Sequence, residues 1–310
     1  MMRRRIVLIL LLVVVIVLPL ALSAQQTGQT RSESLRIAVS IPPMQEFVQR
    51  LTGKEAAVTV VLPPGASPHA FEPTPQQLAN IGKAQVWFLI GVEFEKSLVP
   101  KVARLYPQLR IVDVTRQVKF RLLSGEEQNF EGDHDHQEQS GQGAFDPHTW
   151  LGPDAVKAEL AVILETLRTM DPARAELYSQ RHQAYLKEID AAFDSLRSKL
   201  APFRGKPVYV YHPSFGYFLD AFGMIQKPVE LGGKEPTPKA LSALIARAKA
   251  DGARVVFVQT QFSQAAARTV AAAIGGSVVP MDPLAPDWLA NIERMGQAIA
   301  AAFSTAPGTP

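Results

Sequence analysis

The apolar and polar positions of this chain change period twice. From Leu35 onward, short β-rich runs at Leu35–Val39, Val58–Leu62, Val86–Ile90 and Arg110–Val114 alternate with helix-like stretches at Pro75–Ala84 and Glu93–Leu105. Such alternation predicts a parallel sheet covered on both faces. After His148 the period lengthens. Pro153–Met170 spaces Ala155, Val156, Leu160, Val162, Ile163, Leu164 and Leu167 as one broad buried face. Asp171-Pro172 then reads as an N-cap followed by proline at the first helical position. The next helix has no interior Gly or Pro before Leu200, about 30 residues or ~42 Å at ~1.5 Å per residue. Alternation returns with strands expected at Lys206–Tyr211, Lys227–Leu231, Val255–Gln259 and Ser277–Met281, and helices at Thr237–Ala250, Ser263–Ile274 and Asp287–Phe303. The pattern predicts an α/β fold of two similar lobes with parallel sheets, joined by one long rigid helix.

Segments without an apolar period mark the remaining boundaries. Arg3, Arg4 and Arg5, the apolar run Ile6–Leu22 and then Ser23-Ala24-Gln25 follow the order of a secretory signal, with cleavage expected after Ala24. The same run lies at the lower length limit for spanning a bilayer, so an uncleaved anchor is the competing reading. Either way the folded part is exported. Residues 25–35 predict a disordered leader. Residues 124–144 are rich in Gly, Glu, Gln, Asp and Ser and predict a flexible acidic loop. It carries Asp133-His134-Asp135-His136, readable as polar padding or as a weak metal-collecting tether. The expected organisation is a signal over 1–24, the leader over 25–35, an N-terminal α/β lobe over 36–170 containing the loop 124–144, a connecting helix over 171–201 and a C-terminal α/β lobe over 206–304.

Charge and cysteine content narrow the function classes. The formal charge of +3 is matched by Arg3, Arg4 and Arg5 alone, so the mature chain is near neutral, which argues against a basic nucleic-acid face. The sequence has no cysteine, which excludes disulfides, thiolate ligands and an acylated-cysteine anchor. A soluble periplasmic protein is the expectation.

Candidate chemistry concentrates in four polar residues flanked by proline: His69 after Pro68, His148 after Pro147, His212 before Pro213 and Asp282 before Pro283. Large apolar neighbours suit stiff, dry loops. Ligands of open parallel sheets bind beyond the carboxyl ends of the strands, and His69, His212 and Asp282 each follow an expected strand. Two facing lobes would gather all four residues in the cleft between them, His69 and His148 from the first and His212 and Asp282 from the second. Three neutral imidazoles and one carboxylate complete a tetrahedral shell for a borderline-soft divalent cation, zinc first and manganese as the alternative. Each histidine alone reads more readily as a hydrogen-bonded core or loop residue than as a ligand; the shared context sets the group apart. Glu72 is a candidate acceptor orienting His69, and Glu230 and Glu235 are candidates for the cleft wall. Trp150, Phe71 and Phe215 read as packing, and His182 as a solvated residue of the long helix.

The chain resembles a family. Leu62-Pro63-Pro64-Gly65-Ala66-Ser67-Pro68-His69, Asp146–Trp150, Tyr211–Tyr217 and Gly233-Lys234-Glu235-Pro236-Thr237-Pro238, in this order, are similar to the zinc- and manganese-specific periplasmic solute-binding proteins that feed ABC importers. The resemblance runs from about Arg36 to Phe303 and places the family's metal ligands on His69, His148, His212 and Asp282. It implies periplasmic capture of Zn2+, with Mn2+ as the alternative, as transported ligand, delivery to an inner-membrane ABC permease, a monomer, and no enzymatic activity. Gln259 departs from the pattern, since many members carry glutamate there. A secreted zinc hydrolase is the competing class, disfavoured by four protein ligands and the lack of a His-Glu-x-x-His motif. A surface adhesin has no specific support.

Overall fold

Strands β1 (Leu35–Val39), β2 (Ala56–Val60), β3 (Val86–Leu89) and β4 (Arg110–Asp113) pair in parallel in the order β2-β1-β3-β4. Strands β5 (Pro207–Val210), β6 (Ile225–Pro228), β7 (Val255–Val258) and β8 (Ser277–Pro280) repeat that order as β6-β5-β7-β8. This computed structural model describes residues 34–124, 127, 144–230, 236–262 and 264–304. The expected signal, the leader through residue 33, most of the loop 124–144 and Glu235 lie outside the described residues. Among the described residues no helix is long and apolar enough to cross a membrane.

Burial explains the strand signals. Central strands β1, β3, β5 and β7 place Ile37, Val39, Trp87, Phe88, Val208, Val210, Val256 and Val258 in the core. Edge strand β2 alternates between half-buried and exposed positions, and β8 is only half-covered. The strand expected at Lys227–Leu231 is instead Ile225–Pro228. Its inward positions are Gln226 and Pro228, so an edge strand with a buried amide carries little apolar signal.

Helices α1 (Pro43–Thr52), α2 (Pro75–Gly82) and α3 (Glu93–Leu105) cover the first sheet. Thr74 and Gln77 form a reciprocal capping box at the start of α2. Helix α4 (Pro153–Met170) leads to α5 (Ala175–Leu200), which has 26 residues and therefore spans ~39 Å. Asp171 does not cap it as expected. Its carboxylate accepts from Tyr178 Oη at 2.8 Å and pairs with Arg174, while Pro172–Arg174 forms a separate 3-10 turn. His182 is half-buried rather than solvated, and its Nε2 has no hydrogen-bond partner.

The second half adds α6 (Gly216–Asp220), α7 (Pro238–Ala250), α8 (Ala265–Ala273) and α9 (Trp288–Ser304). Helix α5 ties the halves together. Tyr185 donates to Glu46 of α1 at 3.0 Å, while Phe193 packs on Phe218 of α6. A Cβ on Gly296 of α9 would fall 2.4 Å from Leu196, so glycine permits the close crossing of α9 over α5. One apolar core consequently runs from Leu35 to Ile299 through both halves. Two tryptophans lock the cleft floor: Trp150 donates to Pro283 O at 2.8 Å, and Trp288 donates to Trp150 O at 2.6 Å.

Candidate metal centre

Each histidine is held by its local backbone. Beyond β2, Val61 and Leu62 still pair with β1, through Val39 O at 2.9 Å and Ser40 O at 3.0 Å. The chain then turns through Pro63 and Pro64, and His69 N–H donates to Ser67 Oγ at 3.3 Å. Asp146 Oδ1 accepts the backbone N–H of His148 at 3.0 Å, an Asx turn that starts the 3-10 segment Thr149–Leu151. His212 follows β5. The fully buried Gln259 accepts from His212 N–H at 3.2 Å and donates to His212 O at 2.7 Å and Ser214 Oγ at 2.8 Å. A glutamate there could not make those donations, so the departure from the family pattern acquires a role in fixing the His212 backbone.

The three rings meet. His69 Nε2 lies 3.2 Å from His212 Nε2, which lies 3.3 Å from His148 Nε2, and all three ligand atoms fall within 4.8 Å of one another. Every Nδ1 faces a carboxylate: His69 to Glu93 at 3.0 Å, His148 to Asp146 at 2.8 Å and His212 to Glu230. A carboxylate accepts, so each Nδ1 carries the proton and each Nε2 presents its lone pair. Converging lone pairs repel one another and are stabilised by a cation. Nitrogens held ~2.0–2.1 Å from a tetrahedral zinc stand ~3.3–3.4 Å apart, which fits both short separations.

The walls favour the same chemistry. Asp146 and Glu230 are 0% and 1% exposed at the side chain, whereas Glu93 is 48% exposed. The His69 side chain is 39% exposed against 10% for His148 and for His212. Phe262 stacks on His212 at 4.8 Å between ring centroids, and Trp150 meets His148 edge-on at 5.3 Å. Desolvation pushes His69 and His212 below the ordinary imidazole pKa. The neighbouring His212 lowers His69 further and Glu93 opposes this; Glu230 opposes the shift at His212. Both rings are thereby kept neutral and able to bind a cation.

Asp282 is not brought into this group. Its Oδ1 accepts from Gln261 Nε2 at 3.0 Å and from Leu284 N–H at 2.9 Å, and it lines a cavity of about 180 Å³ with Leu62, Gly65 and Ala66. Glu72 is replaced by Glu93 as the acceptor orienting His69. Glu230 is buried against Nδ1 of His212. Sequence reasoning missed Glu93, Asp146 as a ring acceptor, and Phe262. Only Asp146 carried a signal, two residues before His148; Glu93 lies on α3 and Phe262 beyond β7, brought in by tertiary folding.

The comparisons with known proteins converge on one group. The family described as zinc-uptake complex component A, periplasmic (ZnuA), matches residues 37–302. The chain is 26% identical over 264 residues to the high-affinity zinc uptake system protein ZnuA of Bacillus subtilis, covering 84% of this chain and 82% of that one. It is 27% identical over 254 residues to the zinc-binding lipoprotein AdcA of Streptococcus pneumoniae, covering 81% of this chain and spanning 50% of that relative's length. A crystal structure of ZnuA superposes with a TM-score of 0.78 at 32% identity, covering 87% of this chain and 99% of that one. With both the match and the paired parallel sheets in place, the chain belongs to the ZnuA family of zinc-uptake periplasmic components.

Proposed function

We propose that this chain captures one zinc ion between its lobes in the periplasm and hands it to an inner-membrane ABC permease, acting as a monomer. The carrying observation is the convergence of His69, His148 and His212 through Nε2, each backed by its own carboxylate at Nδ1. An imidazole-rich set suits zinc better than manganese, which favours carboxylate oxygen. Asp282 would join as a fourth ligand through Oδ2, since the hydrogen bonds from Gln261 and Leu284 both fall on Oδ1; three nitrogens already define the position of the ion.

The arrangement supports binding rather than catalysis. A zinc hydrolase needs a bound water and a free base beside it. Here Glu93, Asp146 and Glu230 each accept from an imidazole N–H, which leaves them placed to orient ligands. Family membership agrees, since this is a family of metal-uptake binding components.

Titration of the purified mature chain with zinc against a chelating dye tests the reading. One zinc per chain, held against the dye and lost in His148→Ala and His212→Ala, is expected. No retained zinc, or retention unchanged in both variants, would refute it. Delivery is read separately, as loss of growth under zinc limitation when the chain is deleted and its return with the wild type but not with His212→Ala.

A further inference from the structure

One arginine joins the candidate metal centre to the second lobe. Arg121 follows the first sheet in the chain and points four of its five donors at three carboxylates. Its Nη1 donates to Asp146 Oδ2 at 3.1 Å, its Nη2 to Glu127 Oε1 and Oε2 at 2.9 and 3.0 Å, and its Nε to Asp220 Oδ2 at 2.7 Å. Its backbone N–H donates to Tyr217 Oη at 2.8 Å, and that hydroxyl donates to Asp146 O at 3.2 Å. Tyr217 and Asp220 lie on α6 of the second half. The guanidinium rests against Gly216, where a Cβ would fall 2.5 Å from Arg121 Cζ and 2.6 Å from Asp146 Oδ2. Gln226 of β6 adds a second tie, donating to Glu127 Oε1 at 2.6 Å.

We propose that Arg121 is a positioning residue for the zinc ligand His148, acting through Asp146, and that it makes the aim of this ligand depend on the placement of α6. The proposal rests on the zinc-binding reading above. Asp146 is fully buried and uses Oδ1 for both the ring and the backbone of His148. Its Oδ2 is held by Arg121, so the carboxylate cannot rotate without breaking a charged pair. A buried carboxylate stripped of its cation is costly and seeks another partner, which would turn the imidazole it holds. The planar fork matters as much as the charge. Three carboxylates approach along three guanidinium directions, a geometry an ammonium cannot reproduce. Asp220 is 54% exposed and is the second-lobe carboxylate on the guanidinium, beside the ties made by Tyr217 and Gln226. A separation of α6 from the first lobe would therefore withdraw one anchor of Arg121 and loosen His148.

The test uses the full mature chain and three variants, Arg121→Met, Arg121→Lys and Asp220→Asn. Zinc affinity is read by chelator competition, ligand geometry by the visible spectrum of the cobalt-substituted protein, and folding by thermal melting without metal. Removal of a partner that orients a metal ligand costs roughly 10–100-fold in affinity. Arg121→Met should fall in that range and shift the cobalt bands; Arg121→Lys should recover only part of the loss. Asp220→Asn, at a half-exposed position, should remain folded, lose affinity by a smaller factor and move the bands in the same direction. Wild-type affinity and spectrum in a folded Arg121→Met would overturn the proposal, as would an Asp220→Asn protein indistinguishable from wild type. Failure of the wild-type chain itself to bind zinc would instead overturn the zinc-binding reading.

Discussion

His69, His148 and His212 contribute the same atom to the centre but not the same environment. His148 and His212 lie behind buried carboxylates, while His69 and Glu93 face solvent. Water can replace an exposed ligand at less cost than a buried one, where a lost ligand leaves a buried carboxylate unpaired. His148→Ala and His212→Ala should therefore each weaken zinc by more than ~100-fold, beyond what loss of an orienting partner costs, with His69→Ala the mildest of the three. Chelator competition on the three variants orders them, and His69→Ala as the most damaging would contradict the assignment. Acid should act through the same rings. Because burial holds His69 and His212 below the ordinary value of ~6.5, protons compete with zinc at these two rings only below that pH. Zinc affinity should stay level from pH 8 to ~6.5 and fall beneath it; a decline already complete at pH 7 would contradict the lowered values. The three histidines were legible because each stood beside proline in an apolar context. Asp282 had the same context, and its Oδ1 accepts from Gln261 and Leu284, a local arrangement that sequence spacing does not reveal.

At the scale of elements, period and turn chemistry located most helices and strands, because central parallel strands and capped helices carry strong local signals. Helix α4 was expected at Pro153–Met170 and lies there, its proline at the first helical position. The failures lie where tertiary partners decide. Asp171 turns to Tyr178 and Arg174 instead of capping α5, and Gln226 is buried in β6 because its amide serves Phe215 and Glu127. The tryptophan pair was equally invisible, since Trp150 and Trp288 are joined through backbone oxygens of distant segments. Trp288→Phe keeps most of the apolar volume but leaves Trp150 O without its donor. That change should cost about 1–3 kcal/mol, read as a lower melting temperature of the metal-free chain. An unchanged melting temperature would show that this link adds nothing to the cleft floor.

Across the whole molecule one large apolar core runs through both halves, a smaller cluster around Val256 and Val270 packs within the second, and the three proposed ligands come from both. His69 and His148 come from the first and His212 from the second, while α5 and α9 pack the halves together. Zinc should therefore raise a single melting transition, by the equivalent of ~4 kcal/mol at free zinc 1,000-fold above Kd. Two transitions in calorimetry, with only one moved by zinc, would contradict a shared core. Buried carboxyls away from the site set a further dependence. Glu159 is fully buried with no cation beside it among the described residues, and desolvation, opposed by Thr149, pushes its pKa up to about 8. The folded chain then holds a proton that the unfolded chain releases above its value of 4.5, so this contribution is present at low pH and lost as pH rises through 8. Glu159→Gln should melt like wild type at pH 5 and several degrees higher at pH 9, and an equal effect at both would remove Glu159 as the cause.

In the proposed function, three imidazole nitrogens from two lobes hold one zinc ion. X-ray absorption at the zinc edge, on the chain loaded with one equivalent, measures that shell directly. The expected result is a four-coordinate ion with three imidazoles at ~2.0–2.1 Å, falling to two in His148→Ala. A shell of oxygen alone, or one that keeps three imidazoles when His148 is removed, would contradict it.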